Sequence, residues 1–210
     1  MIIQCDFDGT ITKNNLSILL RQSFACGDWQ KIDTDYLHGY LTVEQSNKLQ
    51  YALIQEPKEK LQEFVRQHIE IRPGFVEFAR HCHDIGIPLV IVSSGLDFYI
   101  ETVLIQIGIQ DTEVHCGQAA FGKEGILVSY SDPEGNTINK GFKENYLAWL
   151  RKRDNNIVYI GDGLSDLKAA CNADLVFAID HLLKLLHDNS VACNAFSDFY
   201  DLLHQIRHLQ

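Results

Sequence analysis

Short runs of apolar residues alternate with amphipathic helical segments along most of this chain. Each run has the length of one β-strand and almost no polar residues, which is typical of strands buried on both faces of a sheet. The four runs are residues 2–7, 88–92, 157–160 and 175–179. The helical segments are residues 73–85, 97–107, 142–151 and 165–171. This alternation predicts an α/β fold with a parallel central sheet covered by helices on both sides.

Two segments interrupt the alternation. Residues 15–70 have helical patterning throughout and contain no strand candidate, and they separate the first two predicted strands by far more chain than one crossover requires. We therefore expect residues 15–70 to form a helical cap over the sheet. Residues 112–138 carry turn signals at Gly122, at Gly125 and at residues 132–135, which predict a strand followed by a small β-hairpin.

Acidic and hydroxyl side chains come directly after three of the predicted strands. Asp6 and Asp8 end the first run, and Ser93 follows the second. Asp162 follows the third, and Asp166 comes four residues later. Since ligands of open α/β sheets bind beyond the carboxyl ends of the strands, we expect these five side chains to meet at one edge of the sheet.

Such a group of carboxylates is suited to phosphoryl transfer with a divalent cation. Carboxylates held close together repel one another, and Mg²⁺ relieves the repulsion through hard oxygen ligands while it keeps several waters. Asp6 and Asp8 lie on the same side of the first run, so one can attack a phosphate while the other handles the proton. The alternative interpretations are that the aspartates only form turns and that Asp166 only favours the start of a helix.

Candidate phosphate-binding groups surround the aspartates. Gly9 and Thr10 allow a tight turn whose backbone N–H groups can face an anion. Ser93 can donate its hydroxyl, and Ser94 is the competing candidate for that role. Alternatively, Ser93 only satisfies the backbone at the end of its strand.

The formal net charge of the chain is -10. This charge argues against nucleic-acid and anionic-membrane partners, because both require basic patches. It agrees with a protein that holds a cation, although a solvated acidic surface accounts for most of it. A lysine is still required to neutralise a transferred phosphoryl group, and both Lys140 and Lys143 lie shortly before the third core strand.

The cysteines and the hydropathy favour a cytoplasmic protein. None of the six cysteines forms a C-x-x-C pair, so reduced cysteines acting as small core residues are expected. No apolar run approaches the length of a membrane span, and no apolar stretch of a signal peptide precedes Asp6. We expect no membrane or nucleic-acid partner, and the oligomeric state is left open, with a homodimer as one candidate.

Four motifs resemble those of the haloacid dehalogenase (HAD) superfamily of phosphatases. They are DFDGT at residues 6–10, VIVSSG at 90–95, Lys-Gly at 140–141 and GDGLSD at 161–166. Their order and spacing are similar to the phosphoserine-phosphatase-like subgroup, in which a helical C1 cap lies between the first and second motifs. The resemblance implies a Rossmann-like three-layer sandwich with a central parallel sheet, whose first strand lies between those ending at Ser93 and Asp162. It also implies a core of residues 1–14 and 71–210 and a small α-helical cap domain of residues 15–70, inserted after the first strand.

The resemblance also implies a role for each matching position. Asp6 would be the nucleophile that forms an aspartyl-phosphate, and Asp8 would protonate the leaving alcohol and then activate water. Asp6, Asp162 and the backbone carbonyl of Asp8 would bind Mg²⁺, and Asp166 would support that site. The implied phosphate-binding residues are Ser93 and Lys140, with Ser94, Gly9 and Thr10 beside them and Lys143 as the alternative lysine.

A closer similarity is to the methionine-salvage phosphatases that act on 2-hydroxy-3-keto-5-methylthiopentenyl-1-phosphate. It rests on residues 71–100, on FAIDHLLKLLHD and on FSDFYDLL. The implied substrate is a small phosphorylated metabolite, and phosphoserine is the alternative. A phosphoserine phosphatase is expected to carry glutamate nine residues after the nucleophile, where this chain has Asn15. Outside phosphatases, the alternatives are a receiver module that accepts phosphate without turnover, a metal-independent dehalogenase and a non-catalytic binding protein.

Overall fold

The computed structural model describes residues 1–207, which form an α/β fold around an eight-stranded sheet. In chain order the strands are β1 (Ile2–Cys5), β2 (Leu89–Leu96), β3 (Glu113–Gly122), β4 (Gly125–Ser131), β5 (Thr137–Ile138), β6 (Ile157–Gly161), β7 (Leu175–Ala178) and β8 (Asn194–Ala195). Across the sheet the order is β5-β4-β3-β2-β1-β6-β7-β8. β1 therefore lies between β2 and β6, which confirms the strand order that the resemblance implied.

The centre of the sheet is parallel and buried. β1 pairs in parallel with β2 and β6, so that Ile3 lies opposite Leu89 on one side and Val158 on the other. Every residue of these three strands is buried. Because no strand face in this region meets water, the strands read as nearly continuous apolar runs, and this is why the sequence pattern predicted them.

Helices connect the strands. In chain order they are α1 (Leu16–Phe24), α2 (Trp29–Leu37), α3 (Val43–Tyr51), α4 (Lys58–His68), α5 (Phe75–Asp84), α6 (Asp97–Gln106), α7 (Phe142–Arg151), α8 (Leu167–Ala170), α9 (Asp180–Asp188) and α10 (Phe199–Arg207), and a 3₁₀ turn (Leu164–Asp166) precedes α8. None of the helices within residues 1–207 combines the length and the hydropathy that a membrane crossing requires.

Helices α1 to α4 occupy most of the segment predicted to be helical. Local signals define where they begin: the Asn15 side chain accepts a hydrogen bond from the backbone N–H of Ile18, and Thr42 and Gln45 form a reciprocal capping box at α3. α3 packs against β4, and α4 packs against α6. α3 and α4 therefore lie directly on the core, and α2 packs against α3.

Strands β3 to β5 form the antiparallel excursion predicted for residues 112–138. β3 pairs in parallel with β2 but antiparallel with β4, and β4 pairs antiparallel with β5. The turn between β3 and β4 contacts the end of α3, where a side chain at Gly125 would overlap the carbonyl of Ala52. With φ at +124°, this position requires glycine on both steric and conformational grounds.

The sequence pattern did not predict β8 or α10. β8 is only two residues long and exposed, so it leaves no apolar pattern to detect. α10 packs against α5, where the Phe199 ring lies 5.1 Å from the ring of Phe75 and 5.3 Å from that of Phe78. The end of the described chain thus covers part of the core.

Candidate active site

The predicted aspartates and serines meet at the carboxyl edge of the central strands. Asp6 and Asp8 follow β1, Ser93 and Ser94 lie within β2, and Asp162 follows β6. All five line one cleft of about 220 Å³. A cleft of this size suits a small molecule, since pockets for drug-sized ligands are about 300–1,000 Å³.

Three carboxylates form the acidic centre of the cleft. Asp6, Asp162 and Asp166 each offer an oxygen within 4.8 Å of the others. Burial, followed by the negative charge of Asp166, raises the pKa of Asp6 to about 7. Burial, followed by the charges of Asp6 and Asp166, raises the pKa of Asp162 to about 9. Asp6 and Asp162 therefore resist ionisation unless more positive charge is supplied.

The lysine at this centre is Lys143. Its Nζ lies 2.8 Å from Asp6 Oδ1 and 2.5 Å from Asp166 Oδ1, and the side chain is buried. Burial alone would lower the pKa of Lys143, but the carboxylates of Asp166 and Asp6 raise it above its ordinary value.

Lys140 lies outside the cleft, in contrast to the sequence-based preference for Lys140 over Lys143. Its side chain is exposed and lines a separate surface hollow near Thr42 and Glu144. The reason is the backbone between the two lysines: Gly141 has φ at +76°, which turns the chain into α7 and directs only Lys143 into the cleft.

Asp166 supports the centre instead of facing the cleft. It is fully buried, and its Oδ1 accepts hydrogen bonds from Lys143 Nζ and from the Tyr159 hydroxyl at 2.6 Å. Its Oδ2 accepts from the backbone N–H groups of Asp162 at 3.2 Å and Gly163 at 2.9 Å. Asp166 thus orients both the lysine and the turn that carries Asp162. Tyr159 was not predicted, because a tyrosine inside a buried strand resembles an ordinary core residue.

Asp8 is held by a different set of donors. Its Oδ1 accepts a hydrogen bond from the backbone N–H of Leu16, the first residue of α1, at 2.8 Å, and its Oδ2 accepts one from the Tyr99 hydroxyl. Burial raises the pKa of Asp8. A carboxyl group that is fixed in position and holds its proton more tightly than usual is suited to acid–base chemistry. Tyr99, on α6, was not predicted.

In the turn after Asp8, the backbone N–H groups of Gly9 and Thr10 form hydrogen bonds within the turn itself. Gly9 N donates to Thr12 Oγ1 at 3.2 Å, and Thr10 N donates to the Phe7 carbonyl at 3.3 Å. The predicted role of Gly9 and Thr10 as backbone donors to phosphate is therefore wrong, because the tight turn consumes those donors. Thr10 Oγ1 instead donates to Asp162 Oδ1 at 2.9 Å, and a side chain at Gly9 would overlap Asp162.

Arg72 holds this turn in place. Its Nε donates to the Thr10 carbonyl at 2.8 Å, and its Nη2 donates to the Gly9 carbonyl at 2.5 Å. The side chain is buried. Sequence analysis missed Arg72 because its partners are main-chain atoms about 60 residues away, which leave no side-chain signal.

The two serines differ in what their hydroxyls already do. Ser93 Oγ accepts a hydrogen bond from the backbone N–H of Gly95 at 3.0 Å and retains its own proton for donation. Ser94 Oγ is buried and has no hydrogen-bond partner among residues 1–207. Both hydroxyls can donate to an anion in the cleft, so the choice between the two serines stays open.

The donor set fits Mg²⁺. When ionised, Asp6, Asp162 and Asp166 carry three negative charges against one positive charge on Lys143, which leaves a net charge of -2. Carboxylate oxygens are the ligands that Mg²⁺ prefers. Since both oxygens of Asp166 are occupied, Asp6 and Asp162 are the carboxylates available to hold the ion.

Helices α1, α2 and α3 also line the cleft. Their polar side chains include Ser17 and Arg21 from α1, Asp33 from α2, and Asn47 and Gln50 from α3. Asn47 Nδ2 donates to the Ser94 carbonyl at 2.8 Å, which ties α3 to β2. None of these polar residues was predicted, because nothing in a helical segment of unknown packing shows which face it buries.

Comparison with known proteins agrees with this geometry. A 2-hydroxy-3-keto-5-methylthiopentenyl-1-phosphate phosphatase of Bacillus pumilus is 31% identical over 213 residues, covering 100% of this chain and 92% of that protein. The bifunctional enzyme MtnB/MtnX of Bacillus licheniformis is 32% identical over 96% of this chain and 48% of that protein. A solved structure of a substrate-bound phosphoserine phosphatase shares the fold, with a TM-score of 0.71 at 20% identity over 97% of both chains.

The match to a described family covers most of the chain. Residues 3–170 match the haloacid dehalogenase-like hydrolases, a span that includes every aspartate and lysine of the acidic centre. Together with the phosphatase relatives, this match confirms the predicted enzyme class, a phosphatase. The chain therefore belongs to the haloacid dehalogenase-like hydrolase family.

Proposed function

We propose that this protein is a Mg²⁺-dependent phosphomonoesterase in which Asp6 is the nucleophile. The observation that carries the proposal is the position of the Asp6 carboxylate, between Lys143 and Asp162 in a cleft at the carboxyl edge of the sheet. When bound, Mg²⁺ supplies positive charge that offsets the repulsion between the carboxylates and a phosphate. In this proposal the serine hydroxyls bind the phosphate oxygens, and Lys143 supplies positive charge beside them.

The proposed reaction has two steps, each with a balanced proton transfer. In the first step an Asp6 oxygen bonds to phosphorus, the ester P–O bond breaks, and Asp8 gives its proton to the leaving alcohol oxygen. In the second step water attacks the phosphorus, Asp8 takes a proton from that water, and the bond between Asp6 and phosphorus breaks to release inorganic phosphate. The raised pKa of Asp8 supports its starting this cycle in the protonated form.

We also propose that helices α1 to α4, within residues 15–70, act as a cap that selects the substrate. The support is that α1, α2 and α3 line the same cleft as the aspartates. Closure of such an element excludes water from the reacting groups. A cytoplasmic location and a homodimeric state stay predictions.

The substrate we favour is 2-hydroxy-3-keto-5-methylthiopentenyl-1-phosphate, on which several full-length relatives act according to their names. The phosphoserine phosphatases that resemble this chain in structure are about 20% identical and support only the fold. In addition, Asn15 stands where such enzymes are expected to carry glutamate. Its side chain caps α1 by accepting from Ile18 N at 3.0 Å, and it has no negative charge to offer an amine.

The test is release of inorganic phosphate from p-nitrophenyl phosphate and from a panel that contains the methylthiopentenyl ester and phosphoserine. We expect release with Mg²⁺, loss of release with EDTA and recovery when Mg²⁺ is returned. Failure to hydrolyse every ester in the presence of Mg²⁺ would contradict the proposal. A phosphoryl group that stays on Asp6 without turnover would instead favour a receiver module.

The buried carboxylates also predict how stability depends on pH. The pKa values of Asp6 and Asp162 lie at about 7 and about 9, against ordinary values of 3.8. At pH values between 3.8 and these raised pKa values, Asp6 and Asp162 keep protons in the native state that they have lost in the unfolded state. The free energy of unfolding therefore falls as pH rises. We expect the Tm of the metal-free protein to fall by on the order of 10 °C from about pH 5.5 to about pH 8.5, since each pKa unit corresponds to about 1.4 kcal/mol and about 1 kcal/mol moves Tm by about 2–4 °C in a chain of this size.

Scanning calorimetry with EDTA and with saturating Mg²⁺ measures this effect. Mg²⁺ should remove most of the decrease, because it stabilises the ionised carboxylates. Asp162→Asn should flatten the metal-free profile, because it removes one of the titrating groups. A Tm that rises over this range, or an identical profile with and without Mg²⁺, is the opposing result.

A further inference from the structure

Glu44 is a buried acidic residue that the proposed reaction does not use. It lies in the first turn of α3, and only 2% of its surface is exposed. Its Oε1 accepts a hydrogen bond from the backbone N–H of Phe142 at 2.8 Å, across 98 residues of sequence. Since a buried charge is unfavourable without partners, this contact indicates what Glu44 holds in place.

The partner of Glu44 is the first residue of α7, the helix that carries Lys143. α7 begins at Phe142, and its N-cap residue is Gly141, which has no side chain to accept a hydrogen bond. The first N–H groups of a helix have no partner within the helix, and a carboxylate beside them also interacts favourably with the helix dipole. Glu44 therefore supplies from α3 the cap that the sequence of α7 lacks.

The first turn of α7 is also held from the sheet. Gln4, in β1, is fully buried, and its Nε2 donates to the backbone carbonyl of Lys143 at 3.1 Å. The backbone of Phe142 and Lys143 therefore has one side-chain partner from β1 and one from α3. Gln4 lies at the centre of the sheet, whereas Glu44 belongs to the helices proposed to close over the cleft.

The contacts of the Lys143 ammonium group make its backbone position important. Nζ lies 2.8 Å from Asp6 Oδ1 and 2.5 Å from Asp166 Oδ1, and it donates to Ser165 Oγ at 3.1 Å. A shift of about 1 Å would lengthen such contacts beyond the usual range of a hydrogen bond. Misplacement of a reacting group by about 1 Å can lower a rate on the order of 10²-fold.

We propose that Glu44 is a positioning residue for Lys143, which it holds beside Asp6 by fixing the first turn of α7. The inference rests on the proposed phosphatase function, in which Lys143 supplies positive charge beside the phosphate. Glu44 is not among the described residues that line the cleft, so it acts through the main chain of Phe142. Because Glu44 lies on α3, the position of Lys143 depends on contact between helices α1 to α4 and the core.

Two further contacts join the same two regions of the chain without touching α7. Thr42 Oγ1 donates to the Asn139 carbonyl at 2.5 Å, and Lys48 Nζ donates to Asn139 Oδ1 at 2.6 Å. If Glu44 only held α3 against the core, loss of the Lys48 contact would have a comparable effect on activity. The Lys48 contact therefore provides a control for a purely structural role of Glu44.

The test measures kcat/KM for p-nitrophenyl phosphate in the presence of Mg²⁺. We expect Glu44→Ala to lower kcat/KM on the order of 10-fold. Glu44→Gln keeps a carbonyl oxygen as acceptor and should stay within about 3-fold of the parent protein. Lys48→Met, the matched control, should also stay within about 3-fold, because exposed charged contacts contribute little. In a Lys143→Met background, Glu44→Ala should lower kcat/KM by less than about 2-fold, because the group that it positions is already absent.

The ammonium signal of Lys143 in NMR spectra reports the position of this group without turnover. The signal is assigned by its loss in Lys143→Met. It should shift or broaden in Glu44→Ala and stay unchanged in Lys48→Met. If Glu44→Ala does not fold, Glu44→Asp takes its place in every comparison, because its carboxylate is one methylene group too short to reach Phe142 in the same way.

The outcomes separate this inference from the proposed function. The role of Glu44 is overturned, with the phosphatase left in place, if Glu44→Ala costs the same factor with and without Lys143. An equal loss in Lys48→Met, or a Glu44→Gln protein as impaired as Glu44→Ala, overturns it as well. Lack of phosphate release from any ester overturns the phosphatase, and the NMR signal then decides the inference, since an unchanged Lys143 signal in Glu44→Ala contradicts it.

Discussion

Replacement of Asp6 by asparagine is expected to lower phosphate release on the order of 10⁴-fold or more, without loss of the fold. The amide keeps the shape of the side chain but cannot act as the anionic nucleophile. Because burial and the charge of Asp166 raise the pKa of Asp6 to about 7, removal of the charge also relieves repulsion in the acidic centre. The metal-free variant should therefore be at least as stable as the parent protein.

Steady-state phosphate release and thermal unfolding of Asp6→Asn measure the two halves of this prediction. Asp188→Asn, at the exposed end of α9, is the matched control and should change neither quantity. Mass spectrometry after rapid quenching should find a phosphoryl adduct on Asp6 in the parent protein. An Asp6→Asn protein with full activity refutes the assignment of the nucleophile.

Lys143→Met is expected to cost both stability and activity. The substitution keeps most of the side-chain volume but leaves the buried carboxylates of Asp6 and Asp166 without their cation. Breaking a buried ion pair on one side typically costs about 3–5 kcal/mol, which corresponds to a decrease in Tm of roughly 10 °C for a chain of this size. We also expect phosphate release to fall about 10²–10³-fold, as for the loss of one charge-stabilising donor.

Lys140→Met is the matched control, because Lys140 is exposed and lies outside the cleft. Its stability should stay within about 0.5 kcal/mol of the parent protein, and its activity should be unchanged. Denaturant unfolding at pH 7 and at pH 5 adds a further check, since protonation of Asp6 at the lower pH should reduce the deficit of Lys143→Met. If Lys140→Met lost activity while Lys143→Met kept normal activity and stability, Lys140 would be the lysine of the active site.

The sequence was sufficient to predict the central sheet and its acidic edge. Buried parallel strands such as β1 and β6 need apolar residues at nearly every position, and this pattern is local and visible. Asp6, Asp8 and Asp162 come immediately after such strands, so their meeting follows from the parallel arrangement alone. The fold and the position of these carboxylates were therefore accessible without coordinates.

The choice between Lys140 and Lys143 could not be made from the local sequence. Lys140 and Lys143 are three residues apart and both lie shortly before the third core strand, so spacing alone could not separate them. Their directions differ because Gly141, with φ at +76°, redirects the chain at the start of α7. The turn at Gly9 and Thr10 is similar, since only coordinates show that its N–H groups are already bonded within the turn.

The sequence by itself determined the α/β architecture and the position of Asp6, Asp8 and Asp162 at the edge of the sheet. Both follow from short apolar strands and from the residues that come directly after them. What only the tertiary structure decided is how those acids are held and what faces them. Tyr99 reaches Asp8 across 91 residues, and Arg72 reaches the turn at Gly9 across 63. Arg21 on α1 reaches Gln50 on α3, which lies 29 residues further along the chain. Such contacts depend on side-chain direction and on packing between distant segments, which no local pattern encodes.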